Sequence, residues 1–166
     1  MPPTKPDTAE RTPGRPSNAF SSVQKHPPAK IAVCRPGGVG SSEAVLVTFD
    51  PAVVSYRALA DRFWRTIDPT DPTGQVCDQG PSYVTAVYAT EAQTATAQAS
   101  RTAAQAALGP KGSGFLTPVY PAMRFWPAGP EHQDFARRHP ARYEAYRIGC
   151  GRSARLRTLW GAAALG

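Results

Sequence analysis

The sequence predicts a small domain of the α/β or α+β class, in which strands and helices alternate along the chain. Residues 44–49 are a run of apolar and β-branched side chains typical of a strand, and residues 84–88 alternate between core-facing and solvent-facing types. Residues 55–67 and 91–108 instead have the composition and spacing of helices. A length of 166 residues suits one domain with a sound core.

The chain divides into three parts by composition. Residues 1–30 are rich in Pro, Ser, Thr and Lys, cannot bury enough apolar surface to offset ordering entropy, and are predicted to be a disordered tail. Residues 31–140 are predicted to form the domain, beginning with a short apolar run at 31–34 and a flexible loop at 36–40. Residues 141–166 are predicted to be a C-terminal extension that packs on the domain.

The first predicted helix follows the first clear strand. Asp50 and Pro51 stop that strand, and Ser55 is a suitable N-cap for a helix through about residue 67. Leu59 and Phe63 fall on one stripe of this helix, so they are interpreted as core residues. The second helix, 91–108, is capped by Thr90 and terminated at residues 109–110. A further strand is predicted at 116–120, and a short helix near 131–135.

An acid-bearing loop connects the two halves of the predicted domain. Residues 68–83 hold Pro, Gly and Asp in a turn-forming pattern and lead into a strand at 83–89, which is predicted to lie beside the strand at 44–49. Glu43 stands at the entrance of that neighbouring strand. We therefore expect Asp78 and Glu43 to reach the same end of the sheet, the alternative being a solvated loop without a site.

The charge is strongly basic, with a formal net charge of +7 and a pI near 9.7. Arginines between residues 142 and 157 alternate with aromatic side chains, which can mark a nucleic-acid surface. Leu156, Leu159 and Trp160 instead favour an amphipathic helix that folds back on the domain, and no specific nucleic-acid partner is expected. No apolar run is long enough to span a membrane and no signal-peptide core is seen, so a cytoplasmic protein without a membrane partner is expected.

The cysteine pattern predicts no metal site. Cys34, Cys77 and Cys150 are widely spaced and form no CxxC pair, so a zinc site is not expected. The odd count argues against a closed disulfide framework and leaves open reactive thiols.

Several segments, in order and spacing, together resemble the A-type peptide methionine sulfoxide reductases. The segments are residues 43–51 with Ser55, Tyr56, Phe63 and Trp64; Asp68, Pro69 and Thr70 followed by Gln75, Asp78, Gly80, Pro81 and Tyr83; and residues 125–128 followed by His132, Gln133 and Asp134. The resemblance runs from about residue 40 to about residue 140. Residues 148–161 are similar to a tail that some family members carry.

This resemblance implies a ferredoxin-like α/β roll and an enzyme that reduces the S-epimer of methionine sulfoxide, free or in oxidised proteins under repair. It implies no bound cofactor or metal, with thioredoxin or another dithiol as external reductant, and a monomer. Glu43 is implied to be the acid that protonates the sulfoxide oxygen, within an apolar pocket, and Tyr83 a hydroxyl that hydrogen-bonds that oxygen. Asp78 is implied to hold the substrate main chain, with His132 and Gln75 supporting the site.

The departures from the family concern the thiol. The family nucleophile lies in a Gly-Cys-Phe-Trp-Gly motif, which this sequence lacks, and a second tyrosine expected before Glu43 is also missing. Cys150 resembles a tail cysteine that resolves a sulfenic acid, and Cys77 stands beside Asp78. The favoured interpretation is a family member without its nucleophile, through a truncated or frame-shifted start or through decay. The alternatives are an enzyme with Cys77 as relocated nucleophile and a non-catalytic basic binding module.

Overall fold

The computed structural model describes residues 30–34, as backbone, and residues 42–165. The predicted disordered tail therefore lies, apart from its last residue, outside the described residues. The predicted loop at 36–40 and the side chain of Cys34 also lie outside them.

Three small sheets make up the β-structure of the described residues. In the first, β1 (Lys30–Cys34) lies between β2 (Ser42–Leu46) and β7 (Phe125–Pro127), and both pairings are antiparallel. The register sets the Cα of Val33 opposite Glu43 on one side and Trp126 on the other. The second is a hairpin of β3 (Gly74–Gln75) and β4 (Asp78–Gln79), and the third pairs β5 (Val87–Ala89) in parallel with β6 (Val119–Pro121).

The β3–β4 hairpin has a demanding backbone. Its two-residue turn places Val76 at φ 62°, a left-handed conformation that a β-branched residue rarely adopts. A Cβ on Gly74 would stand 2.0 Å from the carbonyl oxygen of Asp78, so only glycine permits this close pairing. The turn thereby fixes the position of Cys77 and the direction of the chain at Asp78, the first residue of β4.

Two helices form the centre of the domain, α1 (Tyr56–Trp64) and α2 (Glu91–Leu108). Ser55 caps α1 by accepting a hydrogen bond from the Ala58 amide at 3.1 Å, and a capping box of Thr90 and Gln93 starts α2. The two helices are joined by a buried bond, in which the Trp64 indole donates to the Ser100 hydroxyl at 2.8 Å. A 3-10 turn over Gly109–Gly114 ends α2.

The hydrophobic core lies where α1 and α2 meet the C-terminal part of the chain. Three further helices occur there: α3 (Phe135–Arg138), α4 (Pro140–Gly149) and α5 (Arg152–Trp160). The buried cluster consists of Trp64, Ile67, Ala104, Leu108, Phe115, Leu156, Leu159 and Trp160. Because three of these side chains belong to α5, the predicted amphipathic C-terminal helix is confirmed.

The structure confirms a single α/β domain and corrects one strand pairing. The predicted neighbour of residues 44–49 was the strand at 83–89, but β2 pairs with β1 and β5 pairs with β6, so that prediction was wrong. Alternation of side chains shows which face of a strand is buried and carries no information on its partner. Residues Pro81–Tyr83 also form a 3-10 turn, which shortens β5 to three residues. Over the described residues no helix has the length and hydropathy to cross a membrane.

Candidate active site

The acid-bearing loop is held from behind by Asp68 and Gln75. The Asp68 carboxylate is 3% exposed and accepts hydrogen bonds from the Thr70 amide at 2.9 Å and from the Thr70 hydroxyl at 2.6 Å. The Gln75 side chain accepts from the Asp68 amide at 2.9 Å and donates to the Asp68 carbonyl at 2.7 Å. These bonds tie β3 to the end of the first helical segment, so the β3–β4 hairpin has a fixed position.

Tyr83 and Glu43 form a phenol–carboxylate pair. Tyr83 ends the 3-10 turn that lies against β2, the strand that carries Glu43, and its phenol is close enough to the Glu43 carboxylate to feel its charge. The charge of Glu43 foremost, then partial desolvation and the charge of Asp78, raise the pKa of Tyr83 above its ordinary value. The phenol therefore stays protonated and able to donate a hydrogen bond at neutral and moderately alkaline pH.

A second phenol–carboxylate pair stands beside the first and was missed by the sequence analysis. The Tyr146 hydroxyl, on α4, donates to Oδ2 of Asp78, and the Arg152 guanidinium lies 3.9 Å from the same oxygen. Burial foremost, and then the bond to Asp78, raise the pKa of Tyr146. Only the position of Tyr146 close before Cys150 hinted at this contact, because 68 residues separate the two partners.

An open groove of about 660 Å³ runs past the two pairs. Glu43 and His132 lie along it, and Phe135, Tyr143 and Tyr146 supply aromatic surface. The Glu43 side chain itself is exposed, so the enclosed apolar pocket expected around it is not what the structure has. A lining that combines these aromatic rings with the carboxylates of Glu43 and Asp134 suits a ligand with an apolar stem and a polar end.

His132 lies at the rim of this groove. Its side chain is 65% exposed and its Nε2 stands 3.5 Å from the Glu131 carboxylate, which is its neighbour in sequence. The structure thus brings Glu43, Asp78 and Tyr83 together, places His132 beside Glu43 along the groove, and keeps Gln75 buried in the support of the loop.

Cys77 and Cys150 form a disulfide. Their Cα atoms are 5.4 Å apart, and 73 residues separate them in sequence. The odd number of cysteines argued against a disulfide framework, but an odd count leaves one cysteine over without preventing one pair. The bridge joins the turn of the β3–β4 hairpin to the junction between α4 and α5. Among the described residues no group of three or more Cys, His, Asp or Glu could hold a metal ion.

The C-terminal arginines are engaged within the domain. Arg147 pairs with Glu144 at 2.8 Å, Arg155 pairs with Asp68 at 2.6 Å, and Arg152 faces Asp78. The Arg142 guanidinium lies over the ring of Phe135 at 5.6 Å. Since these charges are used internally, the arginine cluster offers little support for a basic binding module.

Comparisons with known proteins agree on one family. A family model described as "Peptide methionine sulfoxide reductase" matches residues 18–164, a longer stretch than the resemblance from about 40 to 140. The chain is similar to the "Peptide methionine sulfoxide reductase MsrA 2" of Caulobacter vibrioides, at 49% identity over 122 residues, and to that of Rhizobium meliloti, at 48% over 123 residues. Each alignment covers 74% of this chain, and the chain spans 61% of each relative.

A relative from Bacillus licheniformis, "Peptide methionine sulfoxide reductase MsrA", is 42% identical over 126 residues, which cover 74% of this chain and 67% of the relative. Among solved structures, the reduced form of Mxr1 from Saccharomyces cerevisiae has a TM-score of 0.58 at 23% identity. That match covers 68% of this chain and 71% of the yeast chain, and it supports the fold.

Proposed function

Because the chain belongs to the peptide methionine sulfoxide reductase family, we propose that it acts on methionine sulfoxide, free or within proteins, at the groove beside Glu43. The observation that carries the proposal is the packing of the turn that ends at Tyr83 against β2, which brings the Tyr83 phenol near the Glu43 carboxylate, with the Asp78 charge close by. All these groups come from one chain, so we propose a site that works in a monomer.

The proposed chemistry at the oxygen needs a proton and a hydrogen bond. A sulfoxide oxygen leaves sulfur only when it is protonated, which suits an acid at the position of Glu43. Tyr83 donates a hydrogen bond to the same oxygen, and its raised pKa keeps that proton in place. Asp78 receives the main-chain amide of the substrate. The aromatic side chains of the groove, Phe135 and Tyr143 among them, face the apolar stem of the methionine side chain.

The proposed chemistry at the sulfur needs a thiol. A thiolate attacks the sulfoxide sulfur, the oxygen passes to the cysteine as a sulfenic acid, and methionine leaves. A second thiol then displaces water to form a disulfide, which thioredoxin or another dithiol reduces. The printed sequence lacks the Gly-Cys-Phe-Trp-Gly motif, and the cysteine side chains that the structure describes are Cys77 and Cys150. We therefore propose that this chain binds the sulfoxide and reduces it poorly or not at all.

The proposal is tested by binding and turnover in excess dithiothreitol. N-acetyl-methionine-S-sulfoxide amide should bind to the chain, and Tyr83→Phe and Glu43→Gln should each weaken binding several-fold, because each substitution alters a hydrogen bond to the sulfoxide oxygen. Tyr120→Phe and Glu91→Gln, which change exposed residues outside the groove, are the matched controls. Equal affinity in all five proteins would contradict the proposal. Rapid turnover of a dabsyl S-sulfoxide, abolished by Cys77→Ser alone, would assign the nucleophile to Cys77.

A further inference from the structure

The disulfide lies next to the second phenol–carboxylate pair. Cys77 immediately precedes Asp78 in the hairpin, and Cys150 follows the last residue of α4, the helix that carries Tyr146. The same two segments are thus joined twice, once by the Cys77–Cys150 bond and once by the Tyr146 hydroxyl on Asp78. Reduction of the covalent link leaves the Tyr146–Asp78 bond to join α4 to the hairpin.

Helix α4 buries little of its surface. Within the described range no side chain of α4 is buried, and its largest apolar residues, Tyr143, Tyr146 and Ile148, are 40%, 39% and 66% exposed. By contrast, α5 buries Leu156, Leu159 and Trp160 in the core. The residue between the two helices, Gly151, has φ 65°, a conformation that glycine adopts without strain. The Arg147 guanidinium on α4 donates to the Ser153 hydroxyl on α5 at 2.7 Å, so a swing of α4 about Gly151 with α5 in place would break this side-chain bond.

The contact that α4 makes occupies a group that the substrate needs. One carboxylate oxygen of Asp78 accepts the Tyr146 hydroxyl and faces the Arg152 guanidinium. Tyr146 also lines the groove in which Glu43 lies. Tyr146 therefore competes with a substrate main chain for Asp78, and its ring stands in the groove through which that main chain would approach.

We propose that the Cys77–Cys150 disulfide is a redox latch that keeps Tyr146 on Asp78 and closes the site, and that an external dithiol opens it. The proposal rests on the proposed function in taking Asp78 as a group that the substrate reaches. The site then opens under the conditions in which electrons for sulfoxide reduction are at hand.

The opening reaction is a thiol–disulfide exchange. A thiolate of the dithiol attacks Sγ of Cys77, the exposed partner, so that the Cys77–Cys150 bond breaks and a mixed disulfide forms. Cys150 leaves as a thiolate and takes up a proton. The second thiol of the dithiol then attacks the sulfur atom of the mixed disulfide that belongs to the dithiol. Cys77 is released as a thiol, and the dithiol becomes a disulfide. The dithiol loses two electrons and the cysteine pair gains two.

The test compares the oxidised and reduced forms of the whole chain by hydrogen exchange with mass spectrometry. On reduction with dithiothreitol, amides of residues 140–149 should exchange at least 10-fold faster, while those of 152–160 keep their rate and serve as the internal reference for an intact fold. Cys77→Ser should show the fast exchange with or without the reductant. Unchanged exchange over 140–149 on reduction of the wild-type chain would overturn the latch.

A second measurement separates the latch from the proposed function. N-acetyl-methionine-S-sulfoxide amide should bind the reduced chain at least 10-fold more tightly than the oxidised chain, and Tyr146→Phe should reduce this ratio because it removes the bond to Asp78. Equal, measurable affinity in both redox forms would overturn the closing of the site by the disulfide. Absence of binding in both forms, together with faster exchange on reduction, would support the opening movement and overturn the proposed function.

Discussion

Asp68 and Asp78 both meet an arginine of α5, yet the two contacts differ in burial and in their other partners. Asp68 has a side chain that is 4% exposed, lies 2.6 Å from Arg155 and is further bonded by Thr70. Asp78 is 34% exposed and lies 3.9 Å from Arg152. The first contact belongs to the support of the core and the second to the groove. The same pair of residue types is thus structural where it is buried and partly exposed to solvent where it is not.

The largest expected effect concerns Leu156, the buried residue of α5 that follows Arg155, the partner of Asp68. Leu156 is 1% exposed and packs in the cluster with Trp64, so Leu156→Ala should lower the free energy of unfolding by about 3 kcal/mol through the cavity that it leaves. Ile148→Ala in α4 is the matched control and should change stability by less than about 0.5 kcal/mol. Urea unfolding followed by tryptophan fluorescence measures both. Equal losses would show that α4 and α5 are anchored alike.

A smaller effect is expected from the two arginines. Arg155→Ala leaves the buried Asp68 carboxylate without its ion-pair partner, and removing one partner of a fully buried pair costs about 3–5 kcal/mol. Because the Arg155 side chain is 46% exposed, solvent reduces the expected loss to about 2 kcal/mol. Arg152→Ala should cost less than about 0.5 kcal/mol, because its contact with Asp78 is long and solvated. A greater loss from Arg152→Ala in urea unfolding would reverse the assignment of the two acids.

The smallest effect is a dependence on alkaline pH near Asp78. The folded-state pKa of Tyr146 is raised, so this phenol contributes stability that is present below about pH 10 and is lost as the pH rises through the folded value. Tyr146→Phe removes the titrating group, and Asp78→Asn removes the charge that it faces. Both variants should lose stability less steeply than the wild-type chain between about pH 9 and pH 12. Identical slopes would show that the phenol does not feel this carboxylate.

Local signals predicted both ends of α2 and the start of α1, but α1 ends at Trp64 and not near residue 67, the short helix expected near 131–135 begins only at Phe135, and α4 was not predicted. The second helix begins after Thr90 and ends before Gly109 as the caps indicate, and Ser55 caps the first. Such signals lie within a few residues of the boundary that they determine. The strands were predicted less well. The extent of β5 and β6 is determined by their pairing with each other, which joins residues far apart in sequence, and not by the alternation within each segment.

The candidate site likewise combines residues that the sequence suggested with contacts that only the fold creates. The family resemblance selected Glu43, Asp78 and Tyr83, which the structure brings together, and their roles remain proposals. Tyr146 and the Cys77–Cys150 bond join positions far apart in the chain, and no local pattern in either segment encodes such a meeting. Three of the arginines that the composition set apart as a basic face, Arg147, Arg152 and Arg155, meet acids of the same domain, because folding supplies partners that composition cannot show.

The bond from the Trp160 indole to the Ile67 carbonyl has a consequence for the order in which the domain folds. It spans 93 residues, and the Leu165 amide makes a similar long connection to the carbonyl of Arg65. Contacts of such separation close large loops, which slows folding relative to a helical protein with local contacts. During synthesis, α1 and α2 leave the ribosome before their partner in the core exists, and their apolar faces stay uncovered until α5 emerges. We therefore expect a stage of synthesis in which the nascent chain avoids aggregation only by binding chaperones or by completing α5 quickly.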